Sequence, residues 1–175
     1  MKSRLFLFVP LFLLLLGACR KEYPLYSGPG KKPVYISDAE LNDVKNLPPQ
    51  PIENTGVIFL KDPLLFMVEQ FKGIHVIELS DTTNPVNLTF FNIPAVTDFS
   101  ISGNTLYADN GPNLISIDIT NIYQIQVLGI SPGVFQPVLY PTLYNGFFEC
   151  ADPAKGNIVG WEDTELENAA CNTTN

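Results

Sequence analysis

The residues able to do chemistry are few: one histidine, three cysteines and a scatter of carboxylates in 175 residues. Nucleophilic catalysis needs an activated nucleophile with a base in reach. The sole imidazole, His75, sits in "KGIHVIEL" (72–79), where strand alternation puts it on a core-facing position. It reads as a satisfied buried histidine rather than a general base. Zinc needs three or four Cys, His or carboxylate ligands at suitable spacing. The sequence offers no such cluster, so no metal and no cofactor is expected. "DNGPN" (109–113) carries oxygen ligands but lacks the alternation and closing Glu of a calcium loop, and is read as a hairpin turn. No Gly-rich phosphate loop follows a strand, no catalytic residue is nominated, and an enzyme is not expected. The carboxylates do recur, Glu69 with Asp109 and Glu78 with Asp118, forty residues apart. Repeated along one rim, they would either bind cations or a basic partner, or keep strand edges soluble.

The elements that position these residues are themselves repeated. "KGIHVIELSD" (72–81) returns as "PNLISIDITN" (112–121), and the register holds without a gap from Phe59/Phe99 through Phe66/Leu106, Gln70/Asn110 and Ile77/Ile117 to Leu88/Leu128. Short runs rich in Val, Ile, Phe and Leu, separated by Asp-Pro, Lys-Gly, Gly-Asn and Asn-Gly-Pro turns, read as strands. Four strands in about forty residues is the length of one propeller blade. The expected fold is all-β, with β-propeller-like copies at 56–95 and 96–135, a degenerate third at 136–167 and a polar tail at 168–175. "FFEC" (147–150) and "KGNIVGWE" (155–162) carry the third copy, and the written phrase is the third strand of each clear one. Alternation places Ile115, Ile117 and Ile119 on one face and His75, Ile77 and Leu79 on the equivalent face, so isoleucine should substitute for His75 without loss.

Residues 1–18 have Lys2 and Arg4, an apolar run from Leu5 to Leu16 and the small pair Gly17-Ala18. This is a secretory signal peptide, too short for a span of about 20 residues. "LGAC" (16–19) resembles the bacterial lipoprotein box, which implies lipidation of Cys19 and a membrane anchor. Residues 19–55, with Pro24, Pro29, Pro33, Pro48, Pro49 and Pro51, read as an extended tether. Within it "SDAELNDVKN" (37–46) has Ser37 three residues before Glu40, a capping-box pattern. That island is either two helical turns closed by Pro48 or an irregular acidic patch. Without residues 1–18 the chain has 8 basic and 18 acidic residues, a formal charge of −10. Such a surface repels phosphate backbones, so nucleic acid is not an expected partner. Outside the cytoplasm the remaining even pair, Cys150 and Cys171, is expected to oxidise. The alternative is Cys150 buried in its strand and Cys171 free in a frayed tail.

The repeat, its turns and the lipobox together resemble the LVIVD-repeat proteins, lipoproteins of the Bacteroidetes type, over roughly residues 33–165. The resemblance is by pattern, through "IHVIEL" (74–79) and "LISIDI" (114–119). It implies propeller-like repeats on an extracytoplasmic lipoprotein, lipid-anchored in the cell envelope at the outer membrane, with no established enzymatic activity. "DTT" (81–83) resembles a Bacteroidetes O-glycosylation acceptor, which implies a glycan on Thr82. The expected role is a binding or scaffolding module for a protein or a glycan. Two alternatives stand beside it: the N-terminal part of a longer propeller lipoprotein, or a propeller hydrolase or lyase. Two blades and a partial third cannot close a ring of at least four. The chain is therefore expected to be a short relative with its own capping solution, an oligomer if the repeat end is open, or the front part of a longer product.

Overall fold

In the computed structural model of the chain, the described residues are 25–137, 139–142 and 144–173. The expected signal peptide 1–18 and the expected lipidation site Cys19 lie outside them. Among them no helix is long and apolar enough to cross a membrane. The β-rich runs form two antiparallel meanders. The first comprises β3 (Thr55–Lys61), β4 (Leu64–Glu69), β5 (Gly73–Glu78) and β6 (Val86–Asn92). The second comprises β7 (Phe99–Ser102), β8 (Thr105–Asn110), β9 (Asn113–Asp118) and β10 (Gln126–Ser131). The duplicated phrase is β5 and β9, the third strand of each.

Repetition extends to the irregularities. The β5–β6 ladder skips Leu88 between Thr89 and Asn87, and the β9–β10 ladder skips Leu128 between Gly129 and Val127. A bulge recurring at an interval of forty is a property of the repeat, not a defect. In the following turns the Asp81 side chain accepts from Thr83 N (2.9 Å), and that of Asn121 from Tyr123 N (3.0 Å). Both pairs form Asx turns.

The two sheets share one core, containing Phe66, Val68, Ile74, Val76 and Phe91 from the first, and Leu106, Ala108, Ile115 and Ile117 from the second. Ile74 and Val76 therefore face the second sheet, and Ile115 and Ile117 face the first. Equivalent positions of β5 and β9 thus point the same way along the stack. Phe66 and Leu106, aligned in the gapless register, nevertheless both face the shared core, because residues 70–72 turn between β4 and β5 whereas only 111–112 turn between β8 and β9. His75 and Ile77, though equivalent to Ile115 and Ile117, turn out of the shared core toward residues 48–54. On the far side of the second sheet the cross-strand row Ser100–Tyr107–Ser116–Gly129 is polar or small. The same row of the first sheet reads Phe59–Phe66–Val76–Thr89. Polar substitution of that row gives the stack a solvent-compatible end.

The expected tether is largely ordered. β1 (Tyr26–Ile36) pairs antiparallel with β12 (Asn157–Ala169) over most of its length, and touches β11 (Phe147–Phe148) in parallel at Lys31. Ser37 then caps a single helical turn, α1 (Asp38–Leu41), with the reciprocal Ser37–Glu40 box in place. It is one turn rather than two, because β2 (Lys45–Leu47) follows and adds to the β6 edge. Residues 136–167 do not form a third meander. β1 separates β12 from β11, and β13 (Cys171–Asn172), inside the expected tail, pairs with β11. Among the described residues three open sheets result, and they close no propeller ring.

Candidate functional site

Glu69 ends β4 on the face turned away from the shared core and is 1% exposed. A buried carboxylate must be paired or bonded, and this one accepts from the backbone N–H of Glu53 (3.0 Å) and Asn54 (2.6 Å). Its Oε2 also meets His75 Nε2 at 3.2 Å. On the other side of the ring, Asn87 Nδ2 lies 3.5 Å from His75 Nδ1 and 3.2 Å from the Gln50 carbonyl. A neutral imidazole protonated at Nε2 satisfies both contacts. Phe90 closes the ring in edge-on at 4.8 Å. Burial pushes the Glu69 carboxyl up, but the Glu53 and Asn54 amides and His75 outweigh it and hold the group below its ordinary value.

Asp109 does the equivalent work in the second meander. It accepts from Thr97 N (2.7 Å) and Asp98 N (2.9 Å), and from the Thr97 hydroxyl. Each carboxylate thus clasps the segment entering the first strand of its own sheet. Neither is a solvated rim group. Asp118 is spent on Thr120 N and Oγ1, and Glu78 accepts from the Ser80 hydroxyl. Asn110, fully buried, donates to the carbonyls of Leu41 (3.0 Å) and Pro94 (2.7 Å), tying α1 to the second meander.

Beside Glu69 lies a cleft of about 400 Å³ with Leu47, Pro51, Phe71, Phe90 and Pro94 in its walls. Gln50, Asn92 and the Lys72–Glu53 ion pair (2.6 Å) also line it. Phe71 is the residue that sequence reading passes over. It holds φ 65°, and its counterpart forty residues on is Gly111 at φ 60°. The left-handed region suits glycine and costs an aromatic residue about 1 kcal/mol or more. The repeat alignment carries the signal, since one turn uses glycine and its copy places a phenylalanine in a cleft wall.

Cys150 and Cys171 are joined in a disulfide across 21 residues, with Cα atoms 5.3 Å apart. The β11–β13 pair sets this up by placing Phe148 opposite Cys171. A second cleft, of about 630 Å³, adjoins the bridge and is lined by Tyr140, Tyr144 and Phe148 among others. Thr82 is exposed in its turn, while the neighbouring Thr83 hydroxyl donates to Asp81. The structure thus joins the two nominated cysteines and links His75 to Glu69, while Thr82 belongs to neither pair. Comparison of the chain with protein-family models, curated proteins and solved structures gave no match.

Proposed function

We propose that the protein is a binding or scaffolding module of the bacterial cell envelope, lipid-anchored through Cys19, with two propeller-like sheets of LVIVD type. Its ligand is an uncharged, partly apolar segment of a protein or a glycan, seated in the cleft beside Glu69. One observation carries the reading: the carboxylates that could drive chemistry are committed to backbone amides, while aromatic and proline side chains wall the cleft. Recognition sites are lined in this way, mostly apolar with a few fixed polar groups. The hydrolase or lyase alternative needs convergent polar groups free to react, and has less support. The reading as part of a longer propeller is weakened by the polar Ser100–Tyr107–Ser116 row, where a following blade would want apolar contact.

The test is a screen of glycan and peptide arrays with the wild-type protein and Phe71→Gly. Glycine relieves the left-handed strain, so the variant is expected to keep its circular dichroism spectrum while losing the ligand. A ligand held equally by both proteins places recognition elsewhere and ends the assignment to this cleft.

A further inference from the structure

Between Asp118 and Glu149 the chain has no charged residue, although its overall net charge is −8. Among the described residues, half of the large hydrophobic side chains that stand exposed fall in this stretch, including Tyr123, Val127, Leu128, Ile130 and Phe135. At its centre is β10, the edge of the second meander, with all six residues exposed. Its equivalent, β6, is not an edge, because β2 pairs along Phe90–Asn92. The β2 addition lies wholly beyond the bulge at Leu88, and the equivalent stretch of β10, beyond Leu128, runs from Gly129 to Ser131 and is followed by Pro132. Unpaired edges are ordinarily guarded by Lys, Pro or inward charge, and β10 has none of these within Gln126–Ser131.

From this we infer that β10 is a strand-addition site whose occupant is β10 of a second copy of this chain. Charge selects the occupant. A basic partner would be drawn to the acidic remainder of the surface, whereas two copies of an acidic chain repel everywhere except where both are neutral. A two-fold axis sets identical strands antiparallel, which is the pairing already used throughout this meander. The result is one continuous eight-stranded sheet across the dimer, with Val127 and Ile130 of each copy brought against the other's. The inference rests on the β10 edge alone and not on the proposed cleft.

The mass of the full-length protein should be measured by light scattering from 1 to 100 µM in moderate salt, with hydrogen exchange at both ends of that range. A concentration-dependent doubling of mass is expected, with slower exchange within 126–131 at the high end. Ile130→Lys, an exposed change that leaves the core intact, should raise the dissociation constant at least tenfold. A monomer at every concentration overturns the proposal, and so does a dimer indifferent to Ile130→Lys. Protection of 126–131 in a monomer would mean that the chain covers its own edge. Occupation of the edge only by a different protein would likewise replace a second copy as the partner.

Discussion

Glu69 and His75 show how one side chain can invert the reading of another. Alternation locates His75 on a buried face, and it is fully buried. The pattern cannot say that the face points away from the shared core, because that depends on which way the stack runs. Nor does it reveal that the carboxylate six residues back folds in to meet the ring. Isoleucine, harmless at position 115, is therefore expected to cost about 1–2 kcal/mol at position 75, since Glu69 loses a donor that nothing replaces. A double-mutant cycle of His75→Ile with Glu69→Gln, followed by denaturant melts, should return a coupling energy well above zero. Acid supplies a second check. Folding lowers the Glu69 pKa, so its contribution is complete above the unfolded carboxylate value and is lost as pH falls through the folded one. Glu69→Gln is expected to lower stability by about 2 kcal/mol at neutral pH and to flatten the acid limb below pH 4.5, the ordinary value. An unchanged limb would mean that the carboxylate is not bonded as described.

At the scale of elements, what was local in sequence was legible and what was distant was not. The third-strand identity of β5 and β9, the Ser37–Glu40 box and the turn at 109–113 all depend on neighbours a few residues apart. The β1–β12 ladder joins residues 26–36 to 157–169, and no local signal spans that interval. Composition also misled, because Pro29 and Pro33 suggest a linker. They fit a strand for a geometric reason. The Lys31 carbonyl accepts from Glu149 N toward the β11 side, and alternate residues send their backbone groups to the same edge. Pro29 and Pro33 thus turn their donor-less nitrogens to an edge that β11 barely occupies. Gly30 is needed for a different reason, since a Cβ there would stand 2.1 Å from Leu166 and 2.6 Å from the Phe147 carbonyl. Gly30→Ala is expected to loosen this sheet selectively. So is removal of the disulfide: Cys150→Ala with Cys171→Ala should cost about 3 kcal/mol. The faster hydrogen exchange should centre on 147–172 and spare the core strands β4, β5, β8 and β9. A uniform loss of protection would show that the sheets unfold as one unit.

At the scale of the whole molecule, the proposed anchor is the part most open to direct trial. Globomycin, which blocks lipoprotein signal cleavage, is expected to cause a diacylated precursor to accumulate, and Cys19→Ala to abolish acylation. Continued acylation in that variant would remove Cys19 as the attachment point. The start of β1 at Tyr26 then sets a leash. A tether running from Cys19 to residue 55 would let the body roam about 120 Å from the bilayer, at 3.3–3.6 Å per extended residue. Seven residues, from Cys19 to Tyr26, allow no more than about 25 Å. Held that close, the folded body would sweep a thin layer over the lipid instead of a deep hemisphere. Whatever it meets would have to arrive at the membrane face, and a neighbouring copy confined to the same layer would be met far more often than one free in solution.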